Sequence, residues 1–245
     1  MRVARDFAEQ AGQVKTSFLR MISHELRSPL TTLQLHVQRL QRDKTLTPAQ
    51  HEAIGWIARP TKRLVDLVET ILGYARIESG RLTMTVEPFA VGALAEELVR
   101  EMRAPAVEKQ LELHLEPAPS DLPPLLSDRT LVRLILMNLI GNAIKYTMRG
   151  RIQVVVGHDG AAHHLTVSDS GPGIPEEFQD RVFEPFVQLD DDTEHKHIAG
   201  VGLGLALVRE LANAMGGRVE LHSEVNVGSS FTVVLPAAPI AASSS

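Results

Sequence analysis

Between Val14 and Leu40 the apolar residues Val14, Phe18, Ile22, Leu26, Leu30, Leu33, Val37 and Leu40 recur in steps of three and four, the spacing that gathers them on one face of an α-helix. A second run, Ile54, Ile57, Thr61, Leu64, Val68, Ile71 and Ala75, alternates strictly between three and four, a heptad seam with one polar member. Only a short polar break, Asp43 to Thr47, separates them; Thr47-Pro48 reads as an N-cap followed by proline at the first helical position. Two long helices joined by so short a turn have to lie antiparallel, and one hairpin covers only part of its own stripe. A homodimer forming a four-helix bundle is the expected solution. Pro29 and Pro60 should each bend their helix, since proline removes an N–H and crowds the preceding turn.

His24 lies within the first run, next to Glu25. At about 100° per residue it is turned roughly 200° from Ile22 and 160° from Leu26, away from the seam and toward solvent. Position alone favours a solvated surface histidine over a reactive one, because most exposed histidines carry no chemistry. His36, His51, His114, His158, His163, His164 and His222 are read the same way.

With 245 residues the chain has room for two cores. Its net charge of -5 gives none of the basic surface that nucleic acid would require. Cysteine is absent, which excludes disulfides and thiolate metal sites and fits a cytoplasmic setting. The first ten residues mix both charges and lack a signal peptide's apolar segment. Val225 to Ser245, the longest charge-free stretch, is interrupted by Gly228, Pro236 and Pro239 and is not a membrane span. The expectation is a soluble cytoplasmic protein or the cytoplasmic portion of an anchored one.

After Gly80 the pattern changes to short strands alternating with helices. Strands are expected at Leu82 to Val86, Leu111 to Leu115, Arg151 to Gly157, His163 to Asp169, Arg218 to Ser223 and Ser230 to Leu235, with Asp159-Gly160 turning the central hairpin. Helices are expected at Val91 to Lys109, from Ser127-Asp128 to about Met148, and at Gly204 to Met215. The result is an α+β sandwich, one mixed sheet with helices on one face. The domains run 1–79 for the all-α antiparallel hairpin and 80–236 for the α+β unit, with 237–245 a disordered tail.

Three pieces of the α+β unit carry chemistry. Asn138, Asn142 and Lys145 fall at i, i+4 and i+7 of an otherwise Leu- and Ile-rich helix. Asparagine is a poor helix former, so two on one stripe need a reason. An amide oxygen is a hard ligand suited to Mg²⁺, and a lysine one turn on can meet a phosphate. The alternative is the wet face of a surface helix. Asp169-Ser-Gly-Pro-Gly-Ile174 follows a strand: its carboxylate can accept from an exocyclic amine, and Gly171 and Gly173 let the backbone approach a flat ring. Alone, it reads more simply as a strand-to-loop turn. Gly200-Val-Gly-Leu-Gly204 runs into a helix, where backbone N–H groups and the positive dipole end can cradle phosphates.

Taken together, from about Val14 to Leu235, the chain resembles the catalytic core of the two-component sensor histidine kinases. Ser23 to Leu30 resembles the H box of that family, Asn138 to Thr147 its N box, Asp169 to Ile174 its G1 box, Phe183 to Phe186 its F box and Gly200 to Gly204 its G2 box. The resemblance implies a histidine kinase/Hsp90/gyrase-type ATP-binding fold, with ATP and Mg²⁺ as cofactors. It implies that His24 attacks the γ-phosphate while Glu25 takes or orients the other ring proton. It further implies that Asn142 and Asn138 hold Mg²⁺ and Lys145 neutralises phosphate. Asp169 would bind the adenine amine among Gly171, Gly173, Ile174 and Tyr146. Phe183 and Phe186 would anchor a lid between Val187 and Ala199, and Gly200, Gly202, Leu203 and Gly204 would close on the triphosphate. The phosphoryl group would pass to an aspartate on the receiver domain of a response regulator. Two departures from the family pattern are the acidic run Asp190-Asp191-Asp192 in the lid, near His195, Lys196 and His197, and Ser28 where relatives with strong phosphatase activity have Thr or Asn. Two other readings are a dimeric nucleotide-binding sensor or scaffold without kinase activity, and an ATPase of the Hsp90 and gyrase type.

Overall fold

The computed structural model describes residues 29–30, 32–43, 45–78, 82–187 and 202–237. His24, Glu25, Ser28, the lid residues 188–199 with Asp190 to Asp192, Gly200, and the expected tail beyond 237 lie outside the described residues. The chain divides into two compact units, Met1–Leu82 and Thr83–Ser245.

In the first unit, α1 is described as helix over residues 32–41 and α2 spans Pro48–Glu78. The start of α2 is a capping box. Gln50 N–H donates to Thr47 Oγ1 at 3.3 Å while Thr47 N–H donates to Gln50 Oε1 at 2.8 Å, so two donors without helical partners satisfy each other reciprocally. Helix α2 continues through Pro60 without a break. On the seam, Thr61 and Val68 are buried, and the Thr61 hydroxyl is satisfied by donating to Ile57 O at 2.7 Å. Ile57, Leu64, Leu33 and Leu40 remain exposed.

The second unit is an α+β sandwich. Its main sheet has the order β2-β4-β5-β7-β6: β2 is Leu111–Leu115, β4 Gly150–His158, β5 Ala162–Asp169, β6 Arg218–Glu224 and β7 Gly228–Pro236. All neighbours are antiparallel except β2 and β4, which run parallel. One face is apolar: Leu113, Ile152, Val154, Val156, Leu165, Val167, Phe231 and Val233 are buried beneath helices α3 (Val91–Glu108), α4 (Arg129–Tyr146) and α6 (Gly204–Ala214). The opposite face carries small hydroxyls that pair across strands, Thr166 with Thr232 at 2.9 Å and Ser168 with Ser230 at 2.8 Å. Helix α4 is apolar almost all round because it lies between α3 and α6; Ile135, Leu136, Leu139 and Ile140 are at most 1% exposed.

Three expectations need correction. Leu82 to Val86 is not a strand; instead β1 is Glu87–Phe89, paired antiparallel with β3, Leu125–Ser127. The reason is Asp128, whose Oδ1 caps α4 by accepting from Thr130 and Leu131 N–H while its Oδ2 accepts from Thr85 N–H at 2.8 Å, engaging that backbone outside any ladder. A short helix α5, Glu176–Gln179, and a 3₁₀ turn, Arg181–Phe183, lie between Ile174 and Phe186, where the sequence pattern assigns no helix or strand. Finally, His163 is not a surface residue: it is fully buried.

The His163 environment fixes its tautomer. Its Nε2 lies 2.9 Å from Pro123 O, a carbonyl that can only accept, so Nε2 carries the proton and buried Nδ1 is left without a partner. Facing it at a ring separation of 4.7 Å, His158 accepts from Gly160 N–H at Nδ1, so its buried Nε2 carries the proton. Burial holds the His163 pKa below the ordinary histidine value, and the neighbouring His158 and His164 push the same way against the Pro123 bond. Below the ordinary value near 6.5 the unfolded chain therefore takes up a proton that the folded one refuses. Stability of the second unit is expected to be full above that pH and to fall as pH drops below it. Urea unfolding at pH 7 and pH 5, with His163→Leu reducing the difference, measures this.

Candidate functional site

Asn138, Asn142 and Lys145 occupy the last three turns of α4, half-buried rather than on a wet face. Asn138 donates through Nδ2 to Leu134 O at 2.8 Å. Its oxygen is thereby directed away from its own helix, toward the start of α6. There Gly204 comes so close that a Cβ on it would stand 3.0 Å from Asn138 Oδ1 and 3.7 Å from Asn142 Nδ2. A Cβ there would press on the Asn138 amide and rest in ordinary contact with that of Asn142.

The entry to α6 is held from the other side. Gly202 has φ +71 and offers its carbonyl to Phe186 N–H at 2.9 Å, while a Cβ there would strike Val187 O at 2.6 Å. Only glycine combines that left-handed backbone with so tight an approach. The chain on either side of 188–201 is thus clasped together next to the asparagines. Leu203 is buried and its carbonyl accepts from Leu207 N–H at 2.9 Å, starting the helix. Phe183 is buried, edge-on to Phe231 at 6.1 Å with the Arg209 guanidinium 5.7 Å from its ring centre. Phe186 is exposed, with φ +66.

At the C-terminal end of α4 a second group of residues meets. Asp169 ends β5 and accepts at Oδ1 from Gly171 N–H, 2.8 Å away. A Cβ on Gly171 would lie 3.4 Å from Thr147 Oγ1 and 3.5 Å from Tyr146 O, so the turn after β5 packs on the chain leaving α4. Gly173 abuts the backbone of Glu224, and Ile174 N–H donates to Ser223 Oγ at 2.8 Å, tying this turn to β6. Burial pushes the Asp169 carboxyl above its usual range, opposed by the Gly171 and Ser229 amides. Lys145 Nζ donates to Tyr146 OH at 2.7 Å and sits 4.4 Å from that ring's centre; Tyr146 is exposed.

Two residues escaped sequence reading. Thr147 is completely buried beside this group and its hydroxyl has no partner among the described residues, an orphaned polar atom next to Asp169 and Gly171. Its place directly after Asn142, Lys145 and Tyr146 was the available signal. Lys109 Nζ donates to Ile144 O and Lys145 O, each at 2.8 Å. No pattern marks that contact, because its acceptors are main-chain atoms 35 and 36 residues away.

From Asn138 to Tyr146 α4 advances about 12 Å, with an amide pair under a helix N-terminus at one end and a half-buried carboxylate at the other. Residues 14–80 match the family described as His Kinase A (phospho-acceptor) domain, and residues 127–239 match the histidine kinase-, DNA gyrase B- and HSP90-like ATPase family. The chain belongs to the two-component sensor histidine kinases. It is 34% identical over 235 residues to the signal transduction histidine-protein kinase BarA of Escherichia coli, an alignment covering 94% of this chain and 25% of BarA. Full-length ShkA in complex with AMPPNP shares its fold at TM-score 0.74 and 32% identity, over 92% of this chain and 47% of that one. The histidine kinase AdeS of Acinetobacter baumannii matches at TM-score 0.62 and 26% identity, over 87% of this chain and 97% of AdeS. The chain thus spans about a quarter of the length of BarA and about half that of ShkA.

In the second unit, the orphaned Thr147 hydroxyl, half-buried Asp169 and glycine-lined contact over Asn138 and Asn142 suit a nucleotide lying along α4. Among the described residues no cluster of three or more His, Cys, Asp or Glu could hold a metal. The hard donors present are amide oxygens, which suits an ion that keeps waters and shares phosphate oxygens.

Two substitutions test the geometry. Asp169→Asn keeps the acceptor for Gly171 and removes a charge whose burial disfavours folding. Because the folded carboxyl has the higher pKa, its stability contribution is lost as pH rises through and above the ordinary value near 3.8. The nucleotide-free variant should therefore melt slightly higher at pH 7 than the parent, yet bind ATP at least ~10-fold more weakly; thermal melts and calorimetric titration read the two effects. Gly204→Ala should leave the melt within a few degrees and weaken ATP binding by roughly 10-fold, by displacing the Asn138 amide.

Proposed function

We propose that the protein is an ATP-dependent protein-histidine kinase that phosphorylates His24 and passes the phosphoryl group to an aspartate of a response regulator receiver domain. The observation that carries this reading is the succession along the last three turns of α4, with Gly204 against Asn138 and Asn142, then Asp169 and Gly171 at the helix's C-terminal end. The adenine amine donates to Asp169, whose burial strengthens the bond. Tyr146 covers the base or ribose, and Lys145 faces the phosphates as a point charge. The N-terminus of α6 adds backbone N–H groups. Asn138 and Asn142 would hold Mg²⁺ through their amide oxygens, and that ion supplies neutralisation of the triphosphate.

In the transfer, one ring nitrogen of His24 forms a bond to the γ-phosphorus as the bond from phosphorus to the bridging oxygen breaks. ADP leaves with the electron pair. Glu25 accepts the proton from the other ring nitrogen, keeping the attacking nitrogen nucleophilic. Homodimerisation through the helical unit is supported by the exposed Leu33, Leu40, Ile57 and Leu64, an apolar stripe a second copy would cover. Among the described residues no helix is long and apolar enough to cross a membrane, and we place the chain in the cytoplasm, where ATP and receiver domains are available.

Incubation with radiolabelled ATP and Mg²⁺ should give an acid-labile, base-stable phosphoprotein. His24→Ala should remove the label completely, and chelation by EDTA should reduce it to background. Label that persists in His24→Ala overturns the assignment of the nucleophile. Nucleotide binding without any label, even with a receiver domain present, overturns the kinase reading.

A further inference from the structure

The last four carbonyls of an α-helix have no partner inside the helix. In α4 these belong to the turn that carries Lys145 and Tyr146. Thr147 N–H takes Ala143 O at 3.0 Å, and the next two acceptors, Ile144 O and Lys145 O, are both taken by the ammonium of Lys109. Lys109 is delivered by a rigid support. It is the C-cap of α3, its own N–H donates to Ala106 O at 3.1 Å and the next N–H, of Gln110, to Val107 O at 2.9 Å, and α3 is bound to α4 by Glu97 with Arg129 and Arg133, and by Glu101 with Arg133. A cation on the final carbonyls also meets the negative end of the helix dipole.

We propose that Lys109 is a positioning residue for nucleotide binding: by capping the last turn of α4 it holds Lys145 and Tyr146 in the orientation from which they meet the nucleotide. The division of labour is visible in the hydrogen bonds. Lys109 is committed to main-chain oxygens, whereas Lys145 Nζ, among the described residues, engages the neighbouring tyrosine hydroxyl alone and is half-buried beside the site. Desolvation, then the nearby Lys145 charge, pushes Lys109 below the ordinary lysine range, so the pair carries mutual repulsion that an anionic ligand relieves. Without Lys109 the two carbonyls turn to water and the terminal turn frays, which loosens Lys145 and Tyr146 together.

The inference rests on α4 being the nucleotide helix, so ATP binding by the parent chain is measured first. Absence of binding there defeats the functional reading itself. With binding established, Lys109→Met in the full chain should raise KM for ATP in autophosphorylation, and Kd for a fluorescent ATP analogue, by roughly 3- to 20-fold. The rate at saturating ATP should stay within about twofold, since Lys109 does not touch reacting atoms. Lys109→Arg, which can still donate to both carbonyls, should recover most of the affinity. Lys145→Met should cost less affinity in the Lys109→Met background than in the parent, because the two act through one turn. Lys109→Gln, with one donor group and no charge, serves where the methionine variant folds poorly and should fall between parent and Lys109→Met. Unchanged KM and Kd, strict additivity with Lys145→Met, or a fall in saturating rate at constant KM each overturn the proposal.

Discussion

The dipole of α4 meets a charge of the right sign at each end. Asp128 accepts the first free amides and Lys109 donates to the last free carbonyls, and each is known to stabilise a helix by about 0.5–1 kcal/mol. Neither side chain acts on the helix alone. Asp128 also engages Thr85, and Lys109 comes from α3, so the two caps tie α4 to the segments that precede it. A helix fixed at both ends can carry asparagines in its interior without fraying, although that residue contributes little to helicity. Asn138 uses the same logic locally, since its amide donates to Leu134 O and so leaves one oxygen to act outward.

Asp169 stands where packing and chemistry conflict. The strand that bears it is buried on its helix-facing side, through Leu165 and Val167, and the carboxylate closes the end of that row. Two backbone amides offset part of the desolvation without removing it. A fully hydrated carboxylate would discriminate poorly between an amine and water. The same burial that disfavours the charge makes its one unused preference, for a donor from outside, worth more.

Much of the architecture was legible in the sequence because it rests on periodicity. The heptad seam of α2, the hairpin of β4 and β5 around Asp159 and Gly160, and the helices over Val91 to Glu108 and Gly204 to Ala214 all follow from apolar spacing and turn chemistry. The short pair β1 and β3 was not legible, because three-residue strands carry no period and Asp128 decides where the preceding chain goes. His163 was misread for a related reason. Its immediate neighbours, Ala162 and His164, do not mark a buried position, whereas its burial comes from Leu235 across the sheet and the loop at Pro123 above it. In the candidate site, Asn138, Asn142, Asp169 and the glycines announced themselves by being unusual for their elements. Thr147 and Lys109 did not, since a buried threonine and a helix-terminal lysine are ordinary until their partners are known.

The order of strands has a kinetic consequence for this site. The hairpins β4-β5 and β6-β7 each close through three residues, but β5 and β7 are joined only when Asp169 finds Ser229, about 60 residues on. Closing that longer loop costs about 2.5 kcal/mol more in chain entropy than closing a tight hairpin, which places the central seam among the late events of folding. Asp169 lies on that seam, and Gly228, at its partner strand's start, packs against the Asp169 carbonyl. A chain emerging from the ribosome therefore holds both hairpins before it holds the completed sheet around Asp169. Nucleotide can reward only the completed sheet, so the ligand slows unfolding without speeding the search that precedes it.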